Sequence, residues 1–468
     1  MNKPAEHTAS KAVDSIQQRL TEYACGLRYS SLTPEAIQAT KVRVIDTLGA
    51  LVAGFFDEPC RIARNLAAQM PNPDGVTVIG TRMKTTPDMA AFVNATTARY
   101  AELNDTYHMP GVFAGHPSDV LMPVLGVAEH VRASGRDFIN AAALAYEVHL
   151  RVADAVKIPG FDYTNFVCLG TAVASAKLLG LSAKELSHCI SMAVVPNNIL
   201  MQVRTGHLTM FKAVAAGQAG RAGVFAALLA RAGMEGPNLP FEGKAGWCGH
   251  VVSKRFSLDV MGGNGNPFKV QDTMIKPRAS CGTTISSVLA AEKIAPLGNY
   301  QDVKEITVEA YKKVKDGHGT GAHNWNPDTR ETADHSAPYV VAATLLDGTV
   351  TPRSFNDAHL RDPRLYALMQ KISVVENEEF TRAYAQTPVK HRTRVTVVTN
   401  AGQRLTGETG IGDDDAASPM TDAQIVKKFR DLTENALGAH RVQALLDRLW
   451  RLEDLTDVVA IPQAFVLD

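Results

Sequence analysis

Residues 102 to 125 read ELNDTYHMPGVFAGHPSDVLMPVL, a run that gathers acids, hydroxyls and two imidazoles inside an otherwise apolar region. Glu102, Asp105, Thr106, Tyr107, His108 and His116 fall within fifteen positions, while Pro110, Gly111, Gly115 and Pro117 forbid one continuous helix through them. Titratable groups on a stiffened, irregular loop suit general acid–base chemistry, because such loops hold functional side chains on a rigid support. The plainer reading is capping: Asp105 and Thr106 before a turn, and His116-Pro117-Ser118 ahead of the apolar VLMPVLGVAEHV.

Three more clusters carry usable groups. VRTGHLTMFKAVAAG (203–217) holds Arg204, His207 and Lys212. Lys212 enters an alanine- and glycine-rich helix, where it reads either as a cation aimed at a carboxylate or as a surface lysine with a buried stem. In IKPRASCGTTISSVLAAEKI (275–294), Lys276 and Arg278 precede small residues that resemble an anion-binding helix start. Cys281, near two cations and a helix start, is either a reactive thiol or a small buried hydrophobe. The stretch GHGTGAHNWNPDTRETADHSAPYVVAATLLDG (317–348) mimics a dinucleotide fingerprint at Gly317, Gly319 and Ala322. The residues that follow, His323-Asn324-Trp325-Asn326-Pro327, open no helix, so the phosphate-cradling geometry fails. Arg330, Asp334, His335 and Tyr339 remain there as polar groups ahead of an apolar helix, with His335 a cap or an acid and Tyr339 a proton donor. GGNGNP (262–267) lacks Gly-Lys-Ser/Thr and is a turn; HExxH, GxSxG and kinase signatures do not occur.

The elements that must position these groups change texture along the chain. The first ~260 residues read as helices: Thr33 caps a stretch with Pro34 and Glu35 in its first turn, and Val42, Val44, Ile45, Leu48 and Leu51 recur at helical spacing. Near residue 270 strands enter, with alternation predicted over 305–314 and 371–380 and a hairpin over 392–408 turning at Asn400-Ala401-Gly402. The expected fold is mainly α with an α+β second domain: a helical domain over 1–270, completed by 411–468, and an α+β lid over 271–410.

Totals narrow the classes. At 468 residues two domains are the prior, and 45% hydrophobic with 21% charged residues is ordinary for a globular protein. Zero formal net charge argues against nucleic acid as a partner. No uninterrupted apolar run reaches the ~20 residues of a membrane span, and the polar start MNKPAEHTASKAVDSIQQRL lacks a signal core, so a cytoplasmic enzyme or its organellar equivalent is expected. The closest cysteines, Cys168 and Cys189, are 21 residues apart, which leaves no CxxC for zinc or an iron–sulfur cluster.

LNDTYH…HPSDV, FKAVAAGQAGRAGVFAALLARAGMEGP, IKPRASCGTT and TRETADHSAPYVVAATLLDG, in this order, resemble the MmgE/PrpD family over nearly the whole chain. That family includes 2-methylcitrate dehydratase, cis-aconitate decarboxylase and iminodisuccinate epimerase, and PDTRETADHSAPY looks most like its MmgE-type branch. The resemblance implies a homodimer, an active site between a helical domain and a lid, and neither a metal nor an organic cofactor. It assigns the family's aspartate–threonine pair to Asp105 and Thr106, its HPS histidine to His116, its helical lysine to Lys212, its junction lysine to Lys276 and its lid tyrosine to Tyr339. The sequence departs from the family pattern at GFDYTNF, where Phe161 or Asp162 stands near a common histidine, and at Cys281, near another.

The expected activity is dehydration of a small tricarboxylic acid such as 2-methylcitrate. His116 or Asp105 would take the proton, and Tyr339 or His335 would supply one to the leaving hydroxyl. Lys212, Lys276 and Arg278 would clamp carboxylates, with Arg204, His207 and Cys281 alongside. Decarboxylation and epimerisation within the family are the alternatives, and a non-catalytic polycarboxylate-binding protein is the rival from another class.

Overall fold

In the computed structural model, residues 13–467 are described; the polar stretch 1–12 and Asp468 lie outside them. Helices dominate the first half because their starts are capped and their faces are small and apolar. Thr33 Oγ1 accepts from the Ala36 N–H at the head of Pro34–Gly54, and Ser182 with Glu185 forms a reciprocal capping box ahead of Ala183–Val194. A two-stranded ribbon, Pro71–Thr77 with Lys84–Thr85, interrupts the helical series.

Three helices build the wall behind the site: Pro87–Tyr100, Thr164–Leu178 and Phe211–Arg231. Their close approach is written in glycines. A Cβ on Gly217 would lie 2.1 Å from Thr96 Oγ1 and 2.5 Å from the Phe92 carbonyl, and one on Gly223 would lie 2.6 Å from the Cys168 carbonyl. With these contacts the N-terminal end of Phe211–Arg231 lies beside the C-terminal end of Pro87–Tyr100, which brings Lys212 to Glu102. Phe211–Arg231 is long and apolar enough to cross a bilayer, with a mean hydropathy of 1.3, but 61% of that stretch is buried within the protein, as befits a core helix.

The second half centres on a four-stranded sheet in the order Ile372–Glu376, Val303–Ala310, Thr393–Thr399, Arg404–Thr409. The first pair is parallel, with Ile306 opposite Ile372, and the other two are antiparallel. Val303, Ile306, Val308, Val395 and Val397 turn one face onto Ile285–Glu292 and Ala337–Asp347. Each large apolar side chain so buried contributes about 1.5–3 kcal/mol. The C-terminal helices Asp422–Leu437 and Ala439–Leu449 send Ile425, Phe429, Leu445 and Leu446 into the core of the helical half.

Two predicted strands are shorter than their alternation suggests. The first ends at Ala310 and gives way to the helix Lys312–His318, whose Lys312 and Asp316 pair one turn apart at 2.8 Å. The second ends at Glu376, because the Asn377 side chain accepts from the Glu379 and Phe380 N–H groups and starts Glu378–Tyr384. The hairpin turns where predicted, with Gly402 at φ +84°. A four-residue helix, Ala322–Trp325, stands where none was expected.

Gly217→Ala should destabilise the protein by about 1–3 kcal/mol through overpacking against Thr96 and Phe92. Calorimetry checks this; an unchanged melting temperature contradicts the packing argument.

Candidate active site

Glu102 follows Pro87–Tyr100 with φ at +54°, a left-handed conformation uncommon for a residue with a side chain. This turn folds its carboxylate back into a set of cations. Arg99 Nη1 lies 2.5 Å from Oε2, Lys276 Nζ 2.8 Å from Oε1 and Lys212 Nζ 3.3 Å from Oε2. All four side chains are at most 1% exposed. Burial alone would raise the carboxyl, but Arg99, Lys276 and Lys212 outweigh it and hold Glu102 well below the usual carboxylate range. Burial lowers Lys276, against the pull of Glu102.

Asp334 joins from the other half. It takes Lys212 Nζ at 2.8 and 3.0 Å and His335 Nδ1 at 2.5 Å. Thr329 caps the short helix Arg330–Ala333, and Asp334 ends it, so the capped turn sets both side chains. The Cys281 N–H donates to the Asp334 carbonyl at 2.9 Å, which places the thiol beside His335. His318 completes the group: its Nδ1 donates to the His335 carbonyl at 2.9 Å and its Nε2 lies 3.7 Å from Cys281 Sγ. Burial opposes ionising the thiol, yet His335 and His318 hold Cys281 well below the usual thiol range. Burial equally opposes charge on His335, but Cys281 and Asp334 raise it to about 9. The two shifts are mutual, each group favouring the charged form of the other.

His116 lies on the other side of Glu102, with Nε2 3.5 Å from Oε1. Its Nδ1 donates to the Asp105 carbonyl at 2.7 Å; a carbonyl only accepts, so Nδ1 carries the proton and Nε2 keeps its lone pair. Burial, with Arg99 and Lys276, lowers His116 well below 6.5 and keeps it neutral. Cys281, His318 and His335 are half-buried, whereas Glu102, Lys212 and Lys276 are sealed, so the cluster is reached from the thiol side.

Other expected residues do different work. Asp105 spends one carboxylate oxygen on the Ser118 N–H and the other on the Tyr146 hydroxyl, and Thr106 donates to the Gly115 carbonyl while bridging Met274 through its backbone. Both residues fix the loop rather than face the cluster. Tyr339, expected as the proton donor, stands in the core of the α+β half: its hydroxyl donates to the Ser354 carbonyl at 2.7 Å and its ring stacks on Phe355. The apolar helix start draws the ring inward, and burial raises the phenol. Arg278 turns away to Glu292 and lines a separate cavity of about 1060 Å³ with Lys428 and Arg353. His207 is exposed and pairs with Asp328. Arg204 lies close by, held to Asp162 at 2.7 Å and to the Tyr163 hydroxyl at 3.1 Å, with the Tyr163 ring 5.8 Å from that of His116.

Glu102 counts among the acids of its loop, but the expected catalytic roles there go to Asp105 and His116, and Arg99, Asp334 and His318 carry none. Glu102 and Asp334 were visible beside His116 and His335, but an arginine in a helix like that of Arg99 ordinarily reads as surface. Glu102, Asp334 and His335 offer ligand atoms within 4.8 Å of one another. Lys212 and Lys276 already occupy those carboxylates, so the set does not suit a divalent cation.

Residues 18–259 match the MmgE/PrpD N-terminal domain and residues 279–452 the MmgE/PrpD C-terminal domain. The chain belongs to the MmgE/PrpD family. Among its relatives, human cis-aconitate decarboxylase is 26% identical, covering 95% of this chain and 93% of that protein. The mitochondrial 2-methylcitrate dehydratase of Yarrowia lipolytica is 27% identical over 79% of this chain and 74% of its own length. The 2-methylcitrate dehydratase of Cupriavidus necator is 26% identical over 79% of each chain. At the two stretches expected to depart from the family pattern, Cys281 is engaged with His335 and His318, and Asp162, next to Phe161, with Arg204.

Removing one partner of a buried ionic set strands the others, so Glu102→Gln should cost about 3–5 kcal/mol. Chemical denaturation measures this, and a loss below about 1 kcal/mol would contradict Glu102 as the common counter-ion.

Proposed function

We propose that this protein is a lyase that removes water from a small tricarboxylic acid such as 2-methylcitrate, with side chains carrying the proton transfers. One observation carries the reading: two histidines, His116 on Glu102 and His335 on Asp334, lie against a single buried ion-paired cluster, the first shifted toward its neutral form and the second toward its protonated form. Elimination of water needs both, one to take a proton from the carbon beside a carboxylate and one to give a proton to the departing hydroxyl. In that step the C–H electron pair becomes the new C=C bond, His116 Nε2 gains the proton, and the hydroxyl leaves as water with the proton of His335. Among the described residues, Arg99, Lys212 and Lys276 have only Glu102 and Asp334 within direct ion-pairing reach, an excess of one cation that a substrate carboxylate balances. The same cations stabilise charge growing on that carboxylate as the C–H bond breaks.

Decarboxylation of cis-aconitate is the second reading, supported by the relative that matches 95% of this chain and bears that activity in its name. It needs the cations and one acid, with no base. A homodimer fits the exposed apolar Leu200, Met210, Phe211 and Phe225. A reducing cytoplasm fits six free cysteines.

The purified protein, offered 2-methylcitrate, citrate, cis-aconitate and iminodisuccinate in deuterated water, is followed by NMR. A new alkene from 2-methylcitrate is expected. Itaconate from cis-aconitate moves the protein to the second reading, deuterium exchange without net conversion favours epimerisation, and binding with neither favours a carboxylate-binding protein.

His116→Gln should fold normally and lose about 10²–10⁴-fold in turnover; full activity removes His116 from the site. The acid form of His335 is lost as pH rises through about 9, so kcat/KM should fall above that pH. His335→Gln should abolish this limb along with most of the activity, and an unchanged alkaline limb contradicts the assignment.

A further inference from the structure

His108 shares the loop of Glu102 and His116 but takes no part in their cluster. It is held from behind by two residues of the C-terminal half. His108 Nδ1 lies 2.6 Å from His391 Nε2, and His391 Nδ1 lies 3.0 Å from Asp415 Oδ1. Asp415 is itself anchored, taking the His391 N–H at 2.8 Å and the Ala417 N–H at 2.9 Å. Burial opposes its charge, yet the hydrogen bonds from His391 and Ala417 hold it below the usual carboxylate range.

With both rings neutral, the His391 proton sits on Nδ1, toward the Asp415 carboxylate, and its Nε2 is a lone pair. The contact between the rings then requires the His108 proton on Nδ1. His108 Nε2 is left as an acceptor that cannot become a donor while the ring is neutral. Burial, with Lys313 and Lys276 nearby, lowers His108 well below 6.5, and Tyr384 flanks its ring.

This lone pair emerges beside the cluster. A Cβ on Gly282 would lie 3.1 Å from His108 Nε2 and 2.9 Å from Thr106 Cγ2, and Gly282 follows Cys281. His108 is half-buried, as Cys281 is.

We propose that His108 is a specificity-determining residue that accepts a hydrogen bond from the substrate's hydroxyl through Nε2, with His391 and Asp415 as positioning residues that fix its tautomer. The inference rests on the carboxylate-binding part of the proposed function. It names the substrate class as a hydroxylated polycarboxylate, since a fixed lone pair attracts an O–H and repels a carboxylate oxygen.

Citrate and tricarballylate carry the same three carboxylates and differ by the hydroxyl, so titration calorimetry on the full-length protein tests the idea. His116→Gln serves as the background, to suppress turnover. Citrate should bind about tenfold more tightly, the worth of one well-made hydrogen bond. His108→Leu should bring the two affinities together. His391→Gln, in protein with an unchanged melting temperature, should narrow the ratio, whereas a merely structural loss would weaken both ligands equally. Equal affinities in the background protein, or a ratio that survives His108→Leu, overturn the proposal. Binding without any turnover of 2-methylcitrate by the wild type would sink the dehydratase reading and leave this one standing. Failure to bind either acid sinks both.

Discussion

Glu102 is the counter-ion on which the site is built. A carboxylate sealed from water tolerates its charge only when cations surround it, and here Arg99, Lys212 and Lys276 do so. They come from the helix Pro87–Tyr100, from Phe211–Arg231 and from the junction before Ile285–Glu292, so one side chain registers three separate segments. The left-handed backbone at Glu102 is the local cost of folding the carboxylate back toward them.

This constraint explains the packing around it. Gly217 and Gly223 let Phe211–Arg231 lie directly on its neighbours, which is what brings Lys212 within reach of both Glu102 and Asp334. Asp334 and Cys281 belong to the second half, and the hydrogen bond from the Cys281 N–H to the Asp334 carbonyl carries the cluster's order outward to His335 and His318. The same neighbours separate the two histidines chemically. Burial, with Arg99 and Lys276, lowers His116, while Cys281 and Asp334 raise His335 against its own burial. Two like residues thus acquire opposite roles from their surroundings.

The loop 102–118 works as scaffold and site together. Asp105 and Thr106 hold its shape through Ser118, Tyr146, Gly115 and Met274, and this fixes where His108 and His116 point. Both imidazoles are held through Nδ1, one by a backbone carbonyl and the other by His391. Rigid support of this kind lets a short polar loop carry directional chemistry in an apolar protein.

Much of this was legible in the residues alone. Helical spacing, caps and the shift to alternation near residue 270 gave the mainly helical first half and the sheet in the second, because those signals are local. The clusters around His116, Lys212, Lys276 and His335 stood out because polar groups in apolar stretches are costly without a use. Strand ends at Ala310 and Glu376 were harder, since the turn chemistry of Asn377 and the pairing of Lys312 with Asp316 override alternation. Which acid faced the cluster was not readable at all. Asp105 and Glu102 are three residues apart, yet one hydrogen-bonds the scaffold and the other gathers the cations, and only the packed helices decide between them. Tyr339 and Arg278 point elsewhere for the same reason. Sequence sets which groups exist and which elements carry them; long-range packing, through burial and pairing of charge, sets which of them meet.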